Sequence, residues 1–346
     1  MDDDRKKPPM EPSLTYTYKQ VENTIINLDV FLPSKRYGAR NIPSPIMLFI
    51  HGGAWIGGNR QEFSRPVFEE FLSHEFVVVS TDYRLAPESS FVNGQLEDIR
   101  DVETWIKTEM PSKLKDHGFD VQTEQVVVVG GSAGALLALL TPKLWKTKPS
   151  AILAIYGPTN MHRLPRRTTT TGPLASLKIP CPSPETLKEI TNYDCPPSNT
   201  PRPTSAAEWL SPRTKMGIYM FRSETVVDLL LHGLTQTEQD GKRLLAFPQA
   251  GSATKEEIDQ ISPLQLCETI EYPPVYQYTG AQDGLFETCH VTDFAAALEK
   301  QGIPHKEHIV PGVDHAFDMG AKVGDDVHLN VIKPAVDWIV EVVGSF

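Results

Sequence analysis

Ser132 sits in the run Gly130-Gly131-Ser132-Ala133-Gly134, directly after the apolar residues 126–129 and directly before an apolar stretch over 135–145. A buried strand that passes through Gly-x-Ser-x-Gly into a helix is the layout of a nucleophile elbow, a turn so tight that the serine hydroxyl projects from the top of a sheet. Glycines on either side are required where a Cβ would strike a neighbouring strand or helix. A serine hydroxyl is a weak nucleophile at neutral pH, so it needs an adjacent base that is itself oriented by an acid. The chain order expected for this kind of elbow is Ser, then Asp or Glu, then His. Residues 275–279 read as a strand that runs into Gly280-Ala281-Gln282-Asp283-Gly284. Residues 307–310 read as another, running into Pro311-Gly312-Val313-Asp314-His315. Ser132, Asp283 and His315 therefore each follow a strand, on the side of the sheet where an elbow serine stands. His290, His305, His308 and His328, and the acids Glu287 and Asp293, are the rivals, and their positions in or before helices and strands suit structural roles better.

Acyl transfer also needs donors aimed at the oxyanion that develops on the attacked carbonyl. His51-Gly52-Gly53-Ala54-Trp55 follows the strand at 46–50 and supplies a glycine-rich loop of backbone N–H groups. Such a loop forms one part of an oxyanion hole, the other being the N–H of the residue after the nucleophile. Here the donors would be Gly52, Gly53 and Ala133.

His51-Gly52-Gly53, Asp82-Tyr83-Arg84-Leu85-Ala86-Pro87-Glu88 and the elbow together resemble the hormone-sensitive-lipase-like carboxylesterase branch of the α/β-hydrolases, over roughly residues 45–158 and 263–320. The resemblance implies the α/β-hydrolase fold, a mostly parallel central sheet flanked by helices with an inserted cap or lid, and no metal or organic cofactor. It also leaves room for a homodimer, which nothing in the residues themselves establishes. The heptad 82–88 is read as structural, with no catalytic role. Two departures are visible. Ala54 replaces a third glycine in the loop, and Gly131 stands where many members carry an acid just before the nucleophile.

The elements that must position these groups alternate between β-rich and helical runs, which indicates an α/β class with helices on both faces of the sheet. Further strands are expected at 16–18, 25–32, 76–80 and 151–156, and helices at 66–73, 94–110, 133–145, 292–301 and 326–343, with Pro334 starting or kinking the last. The alternation stops between about 160 and 265, where proline- and threonine-rich runs appear. Residues 1–158 and 266–346 are thus assigned to the core, with 1–14 a polar N-terminus, and 159–265 to a cap. Within the cap, Ser183 and Pro184 suit the N-cap and first position of a short helix. Trp55 beside the oxyanion loop and Trp209 in the cap are the candidate substrate-pocket residues. Arg163, Arg166 and Arg167 are read as a solvated cluster.

The chain of 346 residues has 40% hydrophobic and 22% charged content, ordinary for a globular protein. A net charge of -11 argues against nucleic acid or an anionic membrane as partner. The first ten residues lack the apolar core of a secretory signal, and no apolar run approaches the ~20 residues of a membrane span. The four cysteines fit no metal spacing, and reduced thiols are expected of them in the cytoplasm. The functional expectation is a serine hydrolase acting on a small or medium-sized carboxylic ester. An arylformamidase-like amidase, a biosynthetic acyl-transfer or lactonising enzyme of secondary metabolism, and a non-catalytic binding protein on the same fold are the alternatives.

Overall fold

Side chains alternate between two apolar environments along the central strands, because both faces of the sheet are covered. Ile46, Leu48 and Ile50 point into one core and Met47 and Phe49 into the other. Val126 and Val128 divide from Val127 and Val129 in the same way. The computed structural model describes residues 10–34, 43–164, 179–201, 210–239 and 242–344. Its strands are β1 (Leu14–Val21), β2 (Thr24–Phe31), β3 (Ser44–Ile50), β4 (Val77–Thr81), β5 (Val121–Gly131), β6 (Ala151–Ile155), β7 (Thr235–Gln239), β8 (Lys242–Ala246), β9 (Val275–Gly280) and β10 (His305–Val310). Eight of them form one sheet in the order β1-β2-β4-β3-β5-β6-β9-β10, while β7 and β8 form a separate hairpin. Neighbours from β4 to β10 run parallel, and β2 runs antiparallel to both its neighbours, β1 and β4. The expected α/β architecture, a mostly parallel sheet flanked by helices, is therefore the one found.

The helices are α1 (Arg65–Ser73), α2 (Leu96–Thr108), α3 (Met110–Lys115), α4 (Ala133–Leu144), α5 (Pro184–Ile190), α6 (Pro212–Arg222), α7 (Val226–His232), α8 (Lys255–Asp259), α9 (Pro263–Leu266), α10 (Cys289–Lys300) and α11 (Lys333–Val343). Pro334 lies at the start of α11, where a missing N–H costs nothing, and a π-helical turn over His328–Ile332 precedes it. Among the described residues no helix is long and apolar enough to cross a membrane. All four cysteines are free thiols.

The strand order reverses direction between β3 and β5. A crevice opens at such a point, beyond the carboxyl ends of the strands. The oxyanion loop leaves β3 and the elbow leaves β5, so the two flank that crevice. Their approach is possible only without side chains. A Cβ on Gly134 would lie 2.0 Å from the Ile50 carbonyl oxygen, and one on Gly130 would lie 2.2 Å from the Gly134 oxygen. Gly131 is different, since its nearest neighbour would be 3.5 Å away. Gly134→Ala is accordingly expected to lower unfolding free energy by about 3 kcal/mol or more, the upper range for an overpacked site. Gly131→Ala should stay within about 1 kcal/mol of wild type. Urea denaturation of the two variants checks the contrast, and equal losses would contradict it.

Candidate active site

Ser132 occupies the turn between β5 and α4 with φ 55° and ψ −121°, a region that ordinary residues avoid. The strain is held in place from both sides: the Ser132 N–H donates to the Ile155 oxygen at 2.9 Å, and the Ala135 N–H donates back to the Ser132 oxygen at 3.0 Å. The His315 Nε2 lies 2.9 Å from the Ser132 Oγ, and the His315 Nδ1 lies 2.8 Å from the Asp283 Oδ2. With the proton on Nδ1, donated to the carboxylate, Nε2 is left free to accept from the serine hydroxyl.

Asp283 has a fully buried side chain, and its other oxygen, Oδ1, accepts the N–H groups of Leu285 and Phe286 at 2.8 and 2.9 Å. Buried charge is tolerable when it is paired and hydrogen-bonded in this way. The loops that carry the acid and the base are stitched together. The Asp314 Oδ1 accepts the N–H of Gly284 at 2.8 Å and that of His315 at 2.7 Å. Gly280 lets the histidine loop pass close by, since a Cβ there would lie 2.3 Å from the Val313 oxygen.

The oxyanion loop rests directly on the elbow. A Cβ on Gly52 would meet the Gly131 oxygen at 3.0 Å and the Ser132 Cβ at 3.1 Å. Gly53, Ala54 and Trp55 follow with φ of 102°, 54° and 63°, three consecutive left-handed residues that curl the loop. Among the described residues, the Gly52 and Gly53 N–H groups donate to no backbone carbonyl. His51 holds the loop from beneath. Its Nδ1 lies 2.7 Å from the Gly52 oxygen, and its ring stacks on Tyr83 at 4.3 Å. The Tyr83 hydroxyl donates to the His51 oxygen at 2.9 Å. Tyr83 belongs to the heptad 82–88, so that stretch anchors the candidate oxyanion loop, a role its sequence gave no means of seeing.

A family model described as BD-FAE matches residues 28–179. Esterase B from Lactobacillus rhamnosis superposes with a TM-score of 0.61 at 15% identity, covering 97% of this chain and 88% of that one. Esterase 2 of Thermogutta terrifontis, phosphonylated by sarin, superposes with a TM-score of 0.59 at 17% identity, covering 97% and 96%. The chain has the fold of these esterases. In sequence it is similar to the non-reducing polyketide synthases atr1 of Stereocaulon alpinum and stbA of Stachybotrys bisbyi, at 28% and 29% identity over 95% and 94% of this chain. It spans only 13% and 14% of the length of those two proteins.

In this fold none of the described elements between β6 and β9 joins the main sheet. Helix α6 is fastened to the core by several contacts. Ser211 caps it by accepting the Thr214 N–H, and Pro212 begins it. Arg213, one residue on, forms a two-pronged pair with the buried Glu88 (2.8 Å on each nitrogen) and also donates to the Ile56 and Ala86 oxygens. Further along, a Cβ on Gly217 would lie 2.7 Å from the Ile56 Cδ1. Phe221 from the same helix packs on Trp55 and on Phe286, whose ring in turn meets His315 edge-on at 5.4 Å. Trp55 itself is fully covered, wedged between Phe91 and Phe221, so it backs the aromatic layer instead of offering an open wall. Trp209, Arg166 and Arg167 lie outside the described residues. Arg163 pairs with Asp293 at 3.2 Å.

The rivals sit elsewhere. The His290 Nδ1 accepts the Thr159 and Asn160 N–H groups, His305 turns back to the Ile303 oxygen, and His328 pairs with Glu70. Among the described residues Glu70, His74 and Asp337 converge as potential metal ligands. Lys333 reaches both carboxylates, at 3.7 and 3.0 Å, which makes the group an ion-pair cluster.

Burial, with the Arg60 charge adding to it, pushes the His51 imidazole down to about 4, and burial also pushes His290 down to about 4. Both start from 6.5. Between these values the unfolded chain binds protons that the folded chain does not, so stability is fully present above 6.5 and is lost as pH falls toward 4. Urea unfolding is expected to show about 2 kcal/mol less stability per imidazole at pH 5 than at pH 7. His51→Asn, which keeps a donor for the Gly52 oxygen but cannot titrate, should flatten that fall; an unchanged slope would refute the assignment.

Proposed function

We propose that this chain is a serine hydrolase that cleaves a carboxylic ester of a small or medium-sized substrate through an acyl-enzyme on Ser132. The reading rests on one observation, the unbroken hydrogen-bonded line from Ser132 through His315 to Asp283 beneath a loop of backbone donors. His315 takes the hydroxyl proton as Ser132 attacks the ester carbonyl, and Asp283 stabilises the imidazolium that forms. The N–H groups of Gly52, Gly53 and Ala133 receive the oxyanion. The alcohol departs with the proton from His315, and water then attacks the acyl-enzyme by the same route. The segment 159–265 acts as a cap over the core formed by 1–158 and 266–346. Phe221 of the cap packs on Phe286 of the core, whose ring lies beside His315.

A second reading is favoured by the likeness to polyketide synthases over nearly the whole of this chain. In it the acyl group is a polyketide, and the acyl-enzyme is discharged onto an alcohol instead of water. Both readings use the same first half-reaction.

Hydrolysis of p-nitrophenyl esters of graded acyl length tests the shared step. Ser132→Ala is expected to retain the fold and lose about a thousandfold or more in kcat. Near-normal turnover in that variant would overturn the proposal. Product analysis with an added alcohol then separates hydrolysis from acyl transfer.

A further inference from the structure

Behind His315 lies a second carboxylate that the mechanism above does not use. Asp318 is completely buried. Its Oδ1 accepts the Tyr156 hydroxyl at 2.8 Å and its Oδ2 accepts the Tyr278 hydroxyl at 2.8 Å, while its backbone oxygen accepts the Ser64 hydroxyl at 2.9 Å. Burial raises both phenols well above their ordinary range, so they remain protonated donors. Burial also raises the Asp318 carboxyl, and the two phenol hydrogen bonds and the His315 charge oppose the rise. Two donors placed one on each oxygen suit the ionised form.

The Tyr156 ring links this group to the active site. It meets the His315 ring edge-on at 4.8 Å. Tyr156 follows β6 at φ 38°, a left-handed conformation costly for an aromatic residue, and its N–H donates to the Tyr278 oxygen at 2.7 Å. Its phenol also covers Gly131. A Cβ there would lie 3.5 Å from the Tyr156 hydroxyl oxygen, 3.6 Å from Cε2 and 3.8 Å from Cζ. Alanine fits that space.

We propose that the buried Tyr156–Asp318–Tyr278 cluster positions His315 and stabilises its protonated form. Asp318 is then a positioning residue, acting through the Tyr156 ring and through its charge, and it touches no substrate. The kinetic consequence rests on the hydrolase reading, whereas the effect on His315 does not. The charged and titratable groups around His315 are Asp283 on its Nδ1, Ser132 on its Nε2, Asp314 on its backbone N–H, and Asp318 with Tyr156 behind the ring. Those facing Asp318 are Tyr156, Tyr278 and His315.

The test is the titration of His315, followed by NMR of the histidine-labelled protein in a Ser132→Ala background, so that it is independent of turnover. Asp318→Asn keeps shape and hydrogen-bonding capacity but removes the charge. It is expected to weaken the proton affinity of His315 about threefold to tenfold, shifting its midpoint to lower pH. With Ser132 restored, the acidic limb of kcat should move to lower pH by the same factor, with KM unchanged. If Asp318→Asn does not fold, Tyr156→Phe replaces it. That variant keeps the ring but removes one donor that holds Asp318 ionised, so His315 should shift in the same direction by about twofold. An unaltered His315 midpoint in a folded variant overturns the proposal. A wild-type protein inert toward esters would instead overturn the hydrolase reading and leave the NMR result standing.

Discussion

The whole site depends on how closely two backbones can approach where β3 and β5 end. The elbow, the oxyanion loop and the first turn of α4 share a volume with no room for side chains at Gly52, Gly130 or Gly134. That crowding fixes Ser132 in a left-handed conformation and lays the candidate oxyanion donors against its Cβ. Strain of this kind persists only where the surroundings over-determine it. Here they do so through β6, whose Ile155 oxygen takes the Ser132 N–H, and through Tyr83, which pins the opposing loop.

The base and its acid come from the other end of the sheet, on loops joined by Asp314 and made compact by Gly280. These loops leave adjacent parallel strands, β9 and β10, so register alone brings Asp283 and His315 side by side. Helix α6 then reaches across from the inserted segment and is held by the Arg213–Glu88 pair. Since Glu88 is buried, that pair is a fixed fastening, and removing either partner would strand a charge.

Much of this was legible in the residues. The unbroken apolar runs at 46–50 and 126–129 announced buried strands, and the elbow was readable because Gly-x-Ser-x-Gly lay between a strand and a helix. The order Ser132, Asp283, His315 pointed to three loops on one edge, and the structure brings those three side chains together. Other parts left no local signal. The β7–β8 hairpin, Thr235–Gln239 with Lys242–Ala246, has mostly polar strands without apolar alternation, and helix α6 carries a mixed sequence shaped by its contacts with Ile56 and Glu88. Tyr83, Tyr156 and Asp318 matter through partners tens to more than a hundred residues away, a distance that no window of sequence can span. Trp55 was read as a pocket wall because it lies beside the oxyanion loop. Its burial follows from the left-handed curl at Gly53, Ala54 and Trp55, which spacing alone does not reveal.

The central claim is that the Ser132 oxygen is made nucleophilic by its neighbours, and covalent labelling tests it most directly. Treatment with a fluorophosphonate followed by peptide mass spectrometry should place one adduct per chain on Ser132, formed rapidly at neutral pH and almost abolished by His315→Ala. A chain that stays unlabelled, or one labelled equally fast without the imidazole, would contradict the account.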